Sequence, residues 1–532
     1  MITKILALTQ EISVEIGWKG LQRESLFSTP PQKGRRLPID IPDGRQTIPA
    51  LRPFLQNSNN MKKHATTPIP RRQSVLTRLL PVLLLLLPAV GGMTGCAEDD
   101  ELTESQNLYN VKGNEWIYEQ MVHHYYWTDE LPPRQELNFN ENMADFYQHL
   151  IYSGDRFSYY KRNGSYNGSL DQYLKQMPQC GVECQVYETP QGNTIARTLL
   201  VYPDSPLSSI LRRGDWFTLS ADGHTLTLLT LLPDGTTLSG ETFPVSTTAS
   251  RSSANSSVYL DTVYHIDGHR IGYMHYTSFD DIFPLIYPLK RLHEADITEM
   301  ILDLRYNGGG FVNTSLYLAT AFVPDSLYGK PAEYLRYNKT VSMERFGSED
   351  GYTVYNYNDA SDMHNQSSHP RHIYFLVGRG TASASEGTIN LIRPFVPSTL
   401  IGERTVGKGI GMYDISDNNH PLTLVPITFR YYNNQWETVP DSGLVVDLYV
   451  PNGNDVKMKD MGRFDEPLLA AALEQILGYR PPVDSLAAAP ARRRSALLTE
   501  EEEAQAIRRL RPISTPSTYY HRQGFILPEE SR

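Results

Sequence analysis

The stretch EMILDLRYNGGG (299–310) constrains the fold more than any other part of the chain. It reads as a buried β-strand that runs into three glycines, Gly308, Gly309 and Gly310. Residues without a Cβ let another backbone approach closely, and the end of a buried strand is where α/β sheets place their ligands. Flexible loops use the same glycines, so the turn alone does not define a site. The neighbouring segments set the fold class. RIGYMHYTSF (270–279) and HIYFLVG (372–378) read as further strands, and FPLIYPLKRLHEA (283–295) reads as a helix despite Pro288. Strands alternating with helices predict an α/β fold with a helix-covered layered sheet. No period of 20–50 residues repeats, which argues against solenoids and propellers.

The regions around this core differ in character. NEWIYEQMVHHYYW (114–127) places Trp116, Ile117, Met121 and Tyr125 at helical spacing, with Asn114 as N-cap, so 113–175 is expected to be a small helical N-terminal region. His123 and His124 are adjacent and point to different sides of a helix, so they cannot form an i, i+4 metal pair. Residues 182–245 break into short apolar runs separated by PQGN, PDSP, ADG and PDGTT, which predicts a β-rich module over 176–250. Within it, PDSPLSSILRRGDWF (203–217) resembles the PDZ signature, in which a Ser-Pro turn leads to a short helix and Gly214-Asp215 opens the next strand. Other β-barrels share such a Gly-Asp turn. A PDZ edge takes up an extended peptide by β-addition. Cys180 and Cys184 would stand about 13 Å apart in a strand, beyond disulfide reach unless Gly181 turns the chain. Both are expected to be buried or locally bridged structural cysteines. RSSANSS (251–257) is a polar linker leading to a catalytic region at 256–480, and 481–532 is a charged tail whose helix has a solvated face.

The formal charge of −11 hides a split: residues 1–95 carry 13 Lys/Arg and 5 Asp/Glu, and residues 96–532 carry 36 and 55. So acidic a body repels phosphate backbones, which argues against a nucleic-acid partner. The basic part has the form of a targeting segment. After Met61 come Lys62, Lys63, Arg71, Arg72 and Arg78, then an apolar stretch over 79–90 that is too short for the roughly 20 residues of a membrane span. This predicts a secretory signal at 61–95, with 1–60 an over-extended start. Met93-Thr94-Gly95-Cys96 resembles the lipobox of bacterial lipoproteins, in which the cysteine is acylated; an ordinary signal with a chance cysteine is the alternative. The acidic tether that follows (96–112) is similar to that of lipoproteins from Bacteroides-like bacteria. The resemblance implies a membrane partner through lipidated Cys96 and an outer-membrane location in the cell envelope.

Two further glycine-rich segments carry chemistry. In GRGTASASEG (378–387), Ser383 stands three residues before Glu386, the capping-box spacing, at the junction of a strand and a helix. The helix's unpaired N–H groups would stabilise an oxyanion there. A plain N-cap serine has the same local pattern. In GERTVGKGIG (402–411), Lys408 lies between two glycines; it is either a surface turn residue or a base. An ordinary lysine is roughly 0.1% neutral at pH 7.4, a handicap of about 4 kcal/mol, which desolvation would reduce.

LDLRYNGGG, TASASEG and IGERTVGKG together resemble, in order, the three signatures of the carboxyl-terminal processing (tail-specific) serine peptidases. The resemblance extends over roughly 180–455 and, more loosely, DRFSYY (155–160). It implies a ClpP/crotonase-like core behind a PDZ domain. Ser383 becomes the nucleophile rather than Ser385, Lys408 the base, and the backbone N–H groups of Gly309 and Ala384 the oxyanion donors. No metal or organic cofactor is implied. Two positions depart from the pattern: Met412 replaces a glutamine that helps orient the lysine, and Gly308 replaces a proline. SYYK (158–161) fits the S-x-x-K of penicillin-binding enzymes, but no K-T-G accompanies it. The expectation is an exported, lipid-anchored endopeptidase that acts on unfolded or C-terminal polypeptide segments. The alternatives are a non-catalytic peptide-binding lipoprotein, which Met412 favours, and an acyl-thioester enzyme on the same core, which export opposes.

Overall fold

A computed structural model of the chain describes residues 97–162, 173, 176–245, 257–358, 363–416, 419–451, 458–483 and 499–514. The signal segment and Cys96 lie outside the described residues. Among those described, no helix is long and apolar enough to cross a membrane.

The centre is a six-stranded sheet in the order Leu448–Tyr449, Ser398–Gly402, Ile373–Val377, Glu299–Asp303, His269–Tyr276, Val258–Ile266. All its pairs are parallel except the last, the hairpin Val258–Ile266/His269–Tyr276. Parallel strands need helical crossovers, and the helices cover both faces. Met300, Leu302, Phe375 and Val377 pack with Leu285, Leu289 and Ile389 on one side. Ile301, Tyr374 and Leu376 pack with Leu469 and Leu473 of helix Pro467–Leu477 on the other. The α/β expectation is met, and the predicted strands and the helix Phe283–Glu294 with Pro288 inside it are present.

A buried ion network locks this sheet to its rear helix. Arg305 Nε lies 2.9 and 3.0 Å from the two Asp303 oxygens, and its Nη2 lies 2.7 Å from Glu466. Glu466 also caps Pro467–Leu477 by accepting the Leu469 N–H at 3.0 Å. All three side chains are at most 1% exposed, so each charge depends on its partners.

The N-terminal region is helical as expected, with two differences. The helix begins at Ala97, within the segment read as a tether, and Asn114 lies inside it rather than at its start. The Asn114 amide instead donates to Phe139 and Glu141 carbonyls at 2.9 and 2.8 Å, tying down the following loop. Ile117, Met121 and Tyr125 are buried with Phe146, Leu150 and Phe157 against Ile410, Leu424 and Ile427 of the later chain.

The β module is a meander of Val182–Glu188, Thr194–Val201, Trp216–Leu219, Thr225–Leu231 and Thr237–Pro244. Leu207 to Leu211 forms one turn, closed by Leu211 N to Leu207 O at 2.8 Å, where the PDZ pattern predicts a short helix. Cys180 and Cys184 are both buried, which raises each thiol's pKa. The tail is not wholly solvated. Helix Glu500–Arg508 and strand Arg511–Pro512 dock on the module, because Ala506, Ile507 and Leu510 supply an apolar face within the charged run.

Glu466→Ala strands the Arg305 guanidinium in the interior. Urea unfolding should show a loss of about 3–5 kcal/mol. Asp350→Ala, which removes only the exposed Arg336 pair, should cost under about 1 kcal/mol.

Candidate active site

Strands Glu299–Asp303, Ile373–Val377 and Ser398–Gly402 are parallel neighbours, so the chain leaves all three at one edge of the sheet. The three glycine-rich segments leave from those ends. This brings motifs distant in sequence to one place, at the edge where parallel sheets build their sites.

Ser383 opens the helix Ala384–Ile392 with φ 57° and ψ −121°, a backbone strained for a residue with a Cβ. In the run 381–389 it alone is not buried. Ser385 is fully buried, and its hydroxyl donates to Asn307 O at 2.9 Å. The two serines are thus distinguished by geometry: Ser385 is a strut, and Ser383 holds the strained, accessible position.

Gly309 touches this turn. A Cβ on it would stand 2.7 Å from Ser383 Cβ and 2.9 Å from Ala384 N, and its φ is +104°. Both facts require glycine. Its N–H donates to Asn307 Oδ1 at 2.9 Å in this structure. The short Asn307 side chain curls back over its own turn and accepts this bond. Ala384 N–H occupies the first helical position, where no intrahelical acceptor exists. Asn307 O also accepts Ala382 N–H at 3.1 Å, stitching the glycine turn to the serine turn.

Glu386 joins the serine turn to the lysine loop. Its Oε2 accepts Ser383 N–H at 3.0 Å and Lys408 N–H at 2.8 Å; its Oε1 accepts Gly407 N–H at 2.8 Å and the Thr405 hydroxyl. Burial pushes this carboxyl up, and the four donors pull it back. The capping-box spacing in the sequence located Glu386 but not its hold on the lysine loop. Tyr431 Oη adds a second link, lying 3.0 Å from Ser383 O and 2.8 Å from Lys408 O.

Lys408 is 5% exposed. Burial pushes its ammonium down to about 8, against the opposing pull of Glu386 and Asp155. Nζ lies 3.9 Å from Met412 Sδ and 5.6 Å from the Phe157 ring centre. The thioether therefore stands beside the ammonium where the family pattern has an amide.

The DRFSYY segment (155–160) closes over the lysine loop. Arg156 donates to Asp441 O at 2.6 Å, Val406 O at 3.2 Å and Gly407 O at 3.4 Å. Asp155 accepts the Tyr125 hydroxyl at 2.8 Å and the N–H groups of Phe157 and Ser158 at 2.8 and 2.9 Å. The S-x-x-K pair is engaged elsewhere: Ser158 accepts Ile427 N–H at 2.8 Å, and Lys161 pairs with Asp414 at 2.8 Å. His124 is a packing histidine bonded to Tyr413 at 2.8 Å.

Glu386 and Tyr431 thus link the strained serine turn to the loop that carries the buried Lys408. Residues 270–450 match peptidase family S41, and residues 112–159 match the peptidase S41 N-terminal domain. A carboxyl-terminal-processing protease of Synechocystis is 27% identical over 187 residues, 34% of this chain and 38% of that protein. A protein of Staphylococcus saprophyticus described as a CtpA-like serine protease is 25% identical over 120 residues, 23% of this chain and 21% of that one. The alignments thus span well under half of those relatives' lengths. The fold is shared with a Bacteroides fragilis structure described as an S41 protease, with a TM-score of 0.55 at 21% identity, covering 68% of this chain and 97% of that one.

Glu386→Gln should disrupt both turns at once, because an amide presents N–H groups where every neighbour is already a donor. Fluorophosphonate labelling at Ser383 should slow by about 100-fold, with the melting temperature lowered. Labelling at the wild-type rate would show that the bridge is not needed.

Proposed function

We propose that this protein is a serine endopeptidase that cuts unfolded or C-terminal polypeptide segments with a Ser383/Lys408 dyad. The observation that carries the reading is the single Glu386 oxygen that accepts both the Ser383 and Lys408 N–H groups, uniting nucleophile and base in one buried frame.

Each step can be assigned to this chain's atoms. Neutral Lys408 Nζ takes the hydroxyl proton as Ser383 Oγ attacks the scissile carbonyl, and Ala384 N–H receives the oxyanion. Lys408 then returns the proton to the leaving amine, and water hydrolyses the acyl-enzyme. Gly309 N–H joins the oxyanion hole only if Asn307 releases it. With a pKa of about 8, roughly 20% of Lys408 is neutral at pH 7.4, about 200 times the fraction of an ordinary lysine.

The β module, read as PDZ-like, holds the substrate segment, and Cys96 carries the lipid that keeps the protein at the envelope. The alternative, a non-catalytic peptide binder, is favoured by Met412 in the orienting position and by the committed Gly309 N–H.

The deciding experiment incubates wild type, Ser383→Ala and Lys408→Ala with an unfolded protein. Wild type alone should yield fragments, with both variants slowed at least about 1,000-fold. Cleavage that survives in Ser383→Ala would make the nucleophile assignment wrong, and no cleavage by wild type would support the binder. The base must be neutral, so kcat/KM should fall about tenfold per pH unit below about 8 and level off above it. Met412→Gln should raise kcat by supplying an acceptor to hold Lys408. Cys96→Ser should move the protein out of the membrane fraction on cell fractionation.

A further inference from the structure

The docked tail occupies part of the outer strand edge of the β module. Strand Val182–Glu188 is outermost in the module's meander, and Arg511–Pro512 pairs antiparallel with it, Arg511 opposite Glu188 and Pro512 opposite Tyr187. The pairing continues through Ile513 N–H to Val186 O at 2.9 Å. Val186 N–H then goes to the Ser514 hydroxyl at 2.9 Å rather than to a main-chain carbonyl. Arg511 lies 2.8 Å from the Glu188 carboxylate, and Ile513 packs against the cluster that holds Val182, Cys184 and Val186.

This ladder is short. It covers only one end of a seven-residue strand, and one of its members is a proline that has no N–H to donate. Arg511 and Pro512 are exposed. An extended polypeptide lying antiparallel along Val186–Glu188 with an N–H at every position would make more main-chain bonds than the tail, whose proline donates none. The tail also shows which side chains the edge accepts: a cation facing Glu188, a branched aliphatic residue two positions later, and a small hydroxyl after that.

We propose that the edge of Val182–Glu188 is a binding site for an extended polypeptide segment with a basic residue followed two positions later by a branched aliphatic one, and that residues 511–514 occupy it as a built-in competitor. A substrate segment must displace the tail to engage the module. The proposal rests on the peptide-binding role given to the module above, and it does not depend on cleavage.

The test uses the full chain carrying Ser383→Ala, so that binding is read without turnover. The probe is a fluorescein-labelled peptide with the sequence of residues 508–517, RRLRPISTPS. Glu188→Cys with Arg511→Cys places two thiols at directly paired positions. The oxidised, locked protein should bind the probe at least tenfold more weakly than the same protein reduced. A second variant, Arg511→Glu with Ile513→Asp, opens the edge and should bind at least tenfold more tightly than the Ser383→Ala parent. Equal affinity of the oxidised and reduced forms overturns the proposal, as does an opened variant that keeps its circular dichroism spectrum and binds no better than the parent. If the opened variant does not fold, the locked pair still decides. Cleavage by wild type with no effect of the lock would leave the peptidase reading intact and remove this one; an effect of the lock without cleavage would do the reverse.

Discussion

The site depends on one buried carboxylate. Glu386 sits at the third position of the serine helix, and its four donors come from two separate loops. A carboxylate is suited to this place because it only accepts, and every group aimed at it donates. Charge-assisted bonds of this kind are stronger than neutral ones and offset the cost of burying the charge. The ion pulls the nearby Lys408 ammonium upward, against the effect of burial. Burial outweighs that pull and holds the ammonium down to about 8. Relative to an ordinary value near 10.5, that shift disfavours the protonated folded chain by about 3 kcal/mol. Across this window the unfolded chain binds more protons, so folding stability rises as pH increases from about 8 to 10.5.

Around this brace, each layer supports the next. Parallel pairing aligns the exits of three strands, and the Asp303–Arg305–Glu466 network fixes the one that carries the glycine turn. Arg305 is followed by Tyr306 at φ +66°, then by Asn307 and the glycines, so the rigid ion network feeds directly into strained backbone. The N-terminal region takes part as well. Arg156 clasps the lysine-loop carbonyls and Phe157 covers the ammonium, so the region matched to the S41 N-terminal domain helps to desolvate the Lys408 ammonium.

The β module reaches the same turn from the other side. Arg213, in the turn before Trp216–Leu219, donates to Tyr306 Oη at 2.8 Å and to Leu199 O at 3.1 Å. A buried guanidinium therefore ties the module to the residue before Asn307, and Asn307 in turn holds Gly309 N–H. Module, glycine turn and serine turn form one continuous hydrogen-bonded path.

Much of this was legible in the chain. Apolar runs, breakers and glycine positions established the α/β class, the strands, the β-rich module and the three motif segments, because hydrophobic period and backbone permissiveness are local properties. Pattern narrowed the candidate nucleophile to two serines, and the family resemblance pointed to Ser383. Tertiary structure decided the rest, because the partners are remote in sequence. The role of DRFSYY, the second function of Glu386, the capture of Gly309 N–H by Asn307 and the docking of the tail are all long-range or geometric facts. Asn114 shows the limit most simply: its side chain suits an N-cap, but two carbonyls from the loop at 139–141 claim it within a continuous helix. Local sequence determined which elements form and where chemistry could sit. Only the packing of distant segments determined which donors were already spent, which charges were desolvated, and therefore which residues were left to act.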